Sequence, residues 1–255
     1  FCQELVQCNP KIEIREQSSR FTLDGVGPSD RQNPKKRTWE KAIPRWEKNR
    51  DKFTFDESLR EKIVNRTFTS TDSLPGNMHH IGSNLINLYT SLPSIGHEGM
   101  MEGLVTDEEI AAQWEQSNLG SYSWVFNPQY EMIPILEDII SKADAVINGQ
   151  SDRIADLRFG HDTCLGPLTV LMGLNGADKD PEDPFDVKNC YQNWETCKAS
   201  NLQIVFYRDK RGDILLKCLL NGHEASLPVP TTQYPYYRWS DFRDFYTDRC
   251  NKNKN

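Results

Sequence analysis

The spacing of apolar residues changes once along this chain, and the change dictates a fold of mixed type. From about residue 56 to residue 148 apolar side chains recur every three or four positions, the period of an amphipathic helix. Beyond residue 200 they alternate or run together over short stretches, as strands require. The periodicity predicts helices over 56–68, with Leu59 and Ile63 inward, and over 78–92, with Ile81, Leu85, Leu88 and Leu92 on one face. Thr106 and Glu109 stand three apart before Ile110 and Trp114, the signature of a capping box at a helix start. Residues 134–148 give the clearest helix: Leu136, Ile139, Ile140, Ala143, Val146 and Ile147 keep the 3.6-residue period, and Asn148-Gly149 ends it.

The strands fall at the two ends. Lys11-Ile-Glu-Ile-Arg alternates and predicts a strand with Ile12 and Ile14 on one face. Residues 202–207 and 214–220 predict a hairpin whose turn, Arg-Asp-Lys-Arg-Gly-Asp, carries Gly212. A last helix starts near Ser240, the expected cap, with Phe242, Phe245 and Tyr246 inward. Residues 19–34 are expected to form a loop, 175–200 a polar loop, and 228–238 an irregular Pro- and Tyr-rich stretch. Phe1, Leu5 and Val6 share a helical face, so the chain is expected to open inside a helix that continues an earlier segment.

One run carries chemistry. Residues 154–159 predict a strand ending in Gly160; His161, Asp162 and Thr163 follow at once, and then an apolar helix from about Cys164 to Leu174. A helix start offers N–H groups and a partial positive charge, so polar residues placed there meet anions. The imidazole of His161 can donate to a phosphate oxygen, and the carboxyl of Asp162 can protonate a leaving group. The plainer alternative is a polar turn in which Asp162 or Thr163 caps the helix.

Net charge is −7, which argues against a general nucleic-acid binder. No apolar run approaches the roughly 18 residues of a membrane span. Residues 31–52 hold nine Lys or Arg against three acids, together with Trp39 and Trp46; a solvated segment is the preferred reading, a flank for an anionic substrate the other. His79-His80 and His97-Glu98 are expected to be exposed side chains rather than a metal cluster, although His79 and His80 could flank a substrate pocket. The seven cysteines show no Cys-x-x-Cys pair, so no metal or other cofactor is expected. Cys190 and Cys197 could pair in an oxidising compartment or stand as thiols. Asn65-Arg66-Thr67 matches a glycosylation sequon.

Taken with the hairpin and Asn221-Gly-His-Glu-Ala-Ser-Leu-Pro, the Gly-His-Asp-Thr run resembles branch-two histidine phosphatases, the histidine acid phosphatases, and most of all the bacterial inositol-polyphosphate phosphatase and phytase-like members. The likeness is good over 129–228 and looser over 1–20 and 50–128. It implies an α/β fold: part of a phosphoglycerate-mutase-like sheet domain with a largely helical insertion, its N-terminal strands absent from this chain. Residues 1–30 would end a first α/β segment, 31–150 form the insertion, and 151–255 complete the sheet domain.

The resemblance implies phosphomonoester hydrolysis through a phosphohistidine, on inositol polyphosphates or sugar phosphates. His161 would bind the phosphoryl group, Asp162 would give the proton, and Thr163 would assist binding. Many inositol-polyphosphate members carry His-Ala-Glu where this chain has His161-Asp162-Thr163. The family's nucleophile lies in Arg-His-Gly, yet His79, His80, His97, His161 and His223 follow Met78, His79, Gly96, Gly160 and Gly222, so that motif is absent. The chain is therefore expected to hold the proton-donor half of an enzyme and to be inactive alone. A non-catalytic anion-binding module, or a structural half of a split enzyme, is the alternative. The implied partners are a phosphorylated small molecule and the missing N-terminal half or a second copy, with no nucleic acid and no membrane. A periplasmic or secreted location follows from the resemblance only.

Overall fold

The computed structural model describes residues 2–9, 11–15, 57–71, 78–197 and 199–254. The loop expected at 19–34 and the basic segment 31–52 lie outside these residues. In chain order the main elements are α1 (Cys2–Cys8), α2 (Glu57–Thr67), α3 (Met78–Ser91), α4 (Asp107–Phe126), α5 (Ile133–Ile147), α6 (Asp162–Met172), β1 (Leu202–Arg208), β2 (Ile214–Leu220), β3 (His223–Ala225), β4 (Tyr237–Arg238) and α7 (Trp239–Lys252). Short 3₁₀ turns, such as Gln129–Met132 and Pro184–Asn189, fill several connections, including the expected polar loop. The fold is thus a mixture of helices and antiparallel sheet.

Contacts divide the chain into two compact units. The first contains α1, residues 125–178 and residues 194–254, so α5 and α6 pack with the sheet. Strand β2 is central. It pairs antiparallel with β1 along its full length, Leu202 opposite Leu220 and Arg208 opposite Ile214. Its other edge is shared by β3 and β4. Among the described residues β1 has a partner on one side only. The face of β2 bearing Leu216, Cys218 and Leu220 is buried against Leu136 and Ile140 of α5, Leu168 and Leu171 of α6, and Phe242 and Tyr246 of α7. The aromatic stack of α7 continues this core: Trp239 lies on Phe242, and Phe242 on Tyr246, with ring centroids 5.6 and 4.5 Å apart.

The second unit contains α2, α3, α4 as far as Trp124, and residues 179–193. Its core gathers Ile63, Ile86, Leu92, Met101 and Val105. The expected capping box is present: the Thr106 N–H donates to Glu109 Oε2 at 3.0 Å, and the Glu109 N–H donates to Thr106 Oγ1 at 3.2 Å. Arg66 clamps the same carboxylate at 2.8 and 3.0 Å and joins α2 to the start of α4. The buried Asn118 side chain donates to the Tyr191 carbonyl and accepts from the Asn193 N–H, which ties 191–193 to α4.

Several expectations are corrected. Residues 12–15 form no strand, and Ile14 is exposed. Leu88 points outward and Ile86 takes the buried place on α3. Ser240 does not cap α7; Arg238 holds that position in extended conformation, with no side-chain cap. Cys190 and Cys197 are both thiols, Cys190 buried and Cys197 exposed. Asn65 is exposed, and Thr67 of the sequon returns its hydroxyl to the Ile63 carbonyl at 2.7 Å.

Candidate functional site

The stretch 154–160 is not a strand. Leu157 and Phe159 do alternate with Asp156 and Arg158, but both are exposed, as is Ile154 at 84%. Among the described residues no strand pairs with this backbone. Alternation is only a potential for strand, and a ladder partner is needed to realise it. What fixes the stretch instead is charge. The Arg158 guanidinium donates through Nη2 to Asp138 Oδ2 at 2.5 Å and to Asp156 Oδ2 at 2.7 Å. Lys142 bridges the same two carboxylates, at 2.7 Å from Asp138 and 3.5 Å from Asp156, and Arg153 stands 3.9 Å from Asp156. The charges of α5 thereby hold the chain that leads to His161. Burial alone pushes the carboxyl groups of Asp138 and Asp156 up. The hydrogen bonds and charges of Arg158 and Lys142 outweigh it and hold both below the usual aspartate range.

Helix α6 starts two residues earlier than the sequence predicts. His161 is extended, with φ −103° and ψ 160°, and serves as the N-cap residue through its backbone. Its carbonyl accepts from the Cys164 and Leu165 N–H groups at 3.0 and 3.2 Å. Its side chain makes no capping bond. The Asp162 carboxylate accepts from the Thr163 N–H at 2.8 Å, which places its charge at the positive end of the helix. His161, Asp162 and Thr163 are all exposed. The far end of α6 is anchored too: Tyr246 donates to the Met172 carbonyl at 2.6 Å and Arg249 to the Leu171 carbonyl at 2.8 Å, filling two acceptors that a helix end leaves open.

His161 and Asp162 line a cavity of about 810 Å³ inside the first unit. One part of its wall is apolar, from Ile139, Val146, Leu168, Leu202, Ile204 and Phe206. Lys142, Arg153, Asp156 and Arg158 line the same cavity. Thr163 is not among the lining residues. His79 and His80 lie in the first turn of α3, in the second unit. His97 is an exposed residue preceding the turn Glu98–Met101. Among the described residues no three His, Cys, Asp or Glu side chains gather as a metal site would need, and no helix is long and apolar enough to cross a membrane.

The arrangement can receive an anion at the start of α6, next to one imidazole and one carboxyl group. Sequence reasoning found that pair and missed the ion-pair cluster behind it. Asp138 and Lys142 do show the i,i+4 spacing of a helical pair. Nothing local in the sequence shows that Arg158, after a loop, turns back onto them.

Searched against known protein families, the chain has no match. Over 130 residues, 51% of its length, it is 25% identical to Counting factor 60 of Dictyostelium discoideum, and the match spans 27% of that protein.

Proposed function

We propose that this chain carries the proton-donor half of a phosphomonoesterase that works through a phosphohistidine, its substrates being inositol polyphosphates or sugar phosphates. The observation that supports the reading is the placement of His161 and Asp162 together at the start of α6, on the wall of one cavity. In the first step the phosphoryl group passes to an imidazole nitrogen and the P–O bond to the alcohol breaks. The Asp162 carboxyl delivers its proton to the departing alkoxide oxygen. His161 and the start of α6 stabilise charge on the phosphoryl oxygens. In the second step the Asp162 carboxylate takes a proton from water as that water attacks the phosphohistidine, releasing inorganic phosphate and restoring the acid. On this reading the sheet of the first unit belongs to a phosphoglycerate-mutase-like domain, and the nucleophilic imidazole comes from an Arg-His-Gly strand outside these 255 residues.

The test has two arms on the purified 255-residue chain. Binding of inorganic phosphate, followed by titration calorimetry, should weaken about tenfold or more in His161→Ala. Hydrolysis of an aryl phosphate should stay at background. Equal phosphate affinity in both proteins would defeat the site. Turnover lost in Asp162→Asn would show instead that the chain holds its own nucleophile.

A further inference from the structure

We propose that the cavity contains a second anion subsite, centred on Arg158, which takes a second anionic group of the ligand whose phosphoryl group meets His161. The inference rests on the phosphoester reading of His161 and Asp162. Its own support is the cluster of Lys142, Arg153 and Arg158 with Asp138 and Asp156. All of these except Asp138 line the cavity. Within the cluster three cations stand against two carboxylates, and Asp152, which Arg15 holds at 3.0 Å, adds a further negative charge that acts on Arg153.

The geometry of Arg158 says which donors would meet an anion. Both carboxylates are held through Nη2 alone. The Nε and Nη1 donors make no hydrogen bond to another described residue. A guanidinium has five N–H donors in a fixed plane, so pinning one nitrogen orients the others. The group is therefore held before any ligand arrives, and less freedom is lost on binding. The Arg158 and Lys142 side chains are only 23% and 25% exposed, which weakens solvent screening of an incoming anion. Arg158 and His161 are three residues apart, so their Cα atoms lie within about 11 Å. The subsite thus suits a compact ligand bearing two anionic groups, phosphate or carboxylate. Its occupant stands beside the phosphoryl group being transferred, so the subsite determines which phosphomonoesters bind well.

The experiment compares glucose 6-phosphate with glucose 1,6-bisphosphate by titration calorimetry on the 255-residue chain. The bisphosphate should bind about tenfold more tightly or better, and Arg158→Gln should abolish that preference. Arg158→Lys, which keeps the charge but not the planar fork, should retain part of the preference. Because Arg158→Gln also releases Asp138 and Asp156, Arg153→Gln serves as a second variant. Its guanidinium is 3.9 Å from Asp156 and 37% exposed, so the fold does not depend on it. It should lower the preference about threefold. Equal affinities in the wild-type chain, or a preference kept in both Gln variants, would overturn the subsite. If His161→Ala weakens the monophosphate while Arg158→Gln leaves the ratio unchanged, the subsite alone fails. If His161→Ala leaves the monophosphate unchanged, the phosphoester reading fails first.

Discussion

At the scale of single residues, Gly173 shows how tightly the far end of the site helix is set. It ends α6 with φ +64°, a conformation that L side chains rarely adopt. A Cβ there would stand 2.7 Å from the Asp178 carboxyl group. That carboxylate cannot move away cheaply, because Arg249 holds it at 2.6 Å. Gly173→Ala therefore combines a left-handed penalty of about 1–2 kcal/mol with loss of an ion pair. It should lower the midpoint of thermal unfolding by several degrees, whereas Gly149→Ala, with open space around its Cβ, should show the backbone penalty alone. Tyr246→Phe tests the other anchor. It removes the buried donor to the Met172 carbonyl and should cost about 1–3 kcal/mol, read by denaturant unfolding.

Among the elements, α4 has the start that is easiest to perturb selectively. Glu109 closes the capping box and also receives Arg66. The Arg66 hydrogen bond chiefly, with the Thr106 N–H in support, holds its carboxyl below the ordinary glutamate range against the opposing effect of burial. A carboxyl lowered by folding stabilises the folded state above its unfolded pKa. That contribution disappears as pH falls through the lowered folded value. The stability gap between wild type and Glu109→Gln should therefore be full at pH 7, shrink below about pH 4.3 and close in stronger acid. Urea titrations across pH 3–7 would show it, and a gap independent of pH would contradict the assignment. Thr106→Ala should cost about 1 kcal/mol at every pH. This box was legible in the sequence because its two residues are neighbours on one turn. So were α5, the β1–β2 hairpin and the inward face of α7, each written by a local period. The stretch 154–160 and residues 12–15 were misread for the converse reason: a strand exists only where another backbone pairs with it. The pair His161-Asp162 was visible as a motif. Its ion-pair support was not, since Asp138 and Arg158 meet only after α5 has folded.

On the scale of the whole molecule, the side of β1 that has no strand partner among the described residues matters most. Leu202-Gln-Ile-Val-Phe-Tyr has no charge, Pro or Gly to discourage another strand, and Ile154, Leu157 and Phe159 lie exposed in the same unit. Such an edge invites pairing with a second chain. The isolated chain should associate, with a sedimentation coefficient that rises with concentration, and Val205→Lys should return it to monomer. A wild-type chain monomeric at all concentrations would contradict this. The burial of its thiols also equips the molecule with its own clock. Cys8 and Cys197 are exposed and should alkylate at once. Cys218 and Cys250 are buried in the first unit, their thiols pushed up to about 12 and about 11 mainly by burial, and Cys190 is buried in the second. Mass spectrometry of timed labelling would thus report the opening of each unit separately, without any dye or engineered probe. Equal rates at Cys190 and Cys218 would mean that the two units open as one cooperative body; a lead at Cys190 would mean that the second unit can melt while the sheet around His161 stays closed.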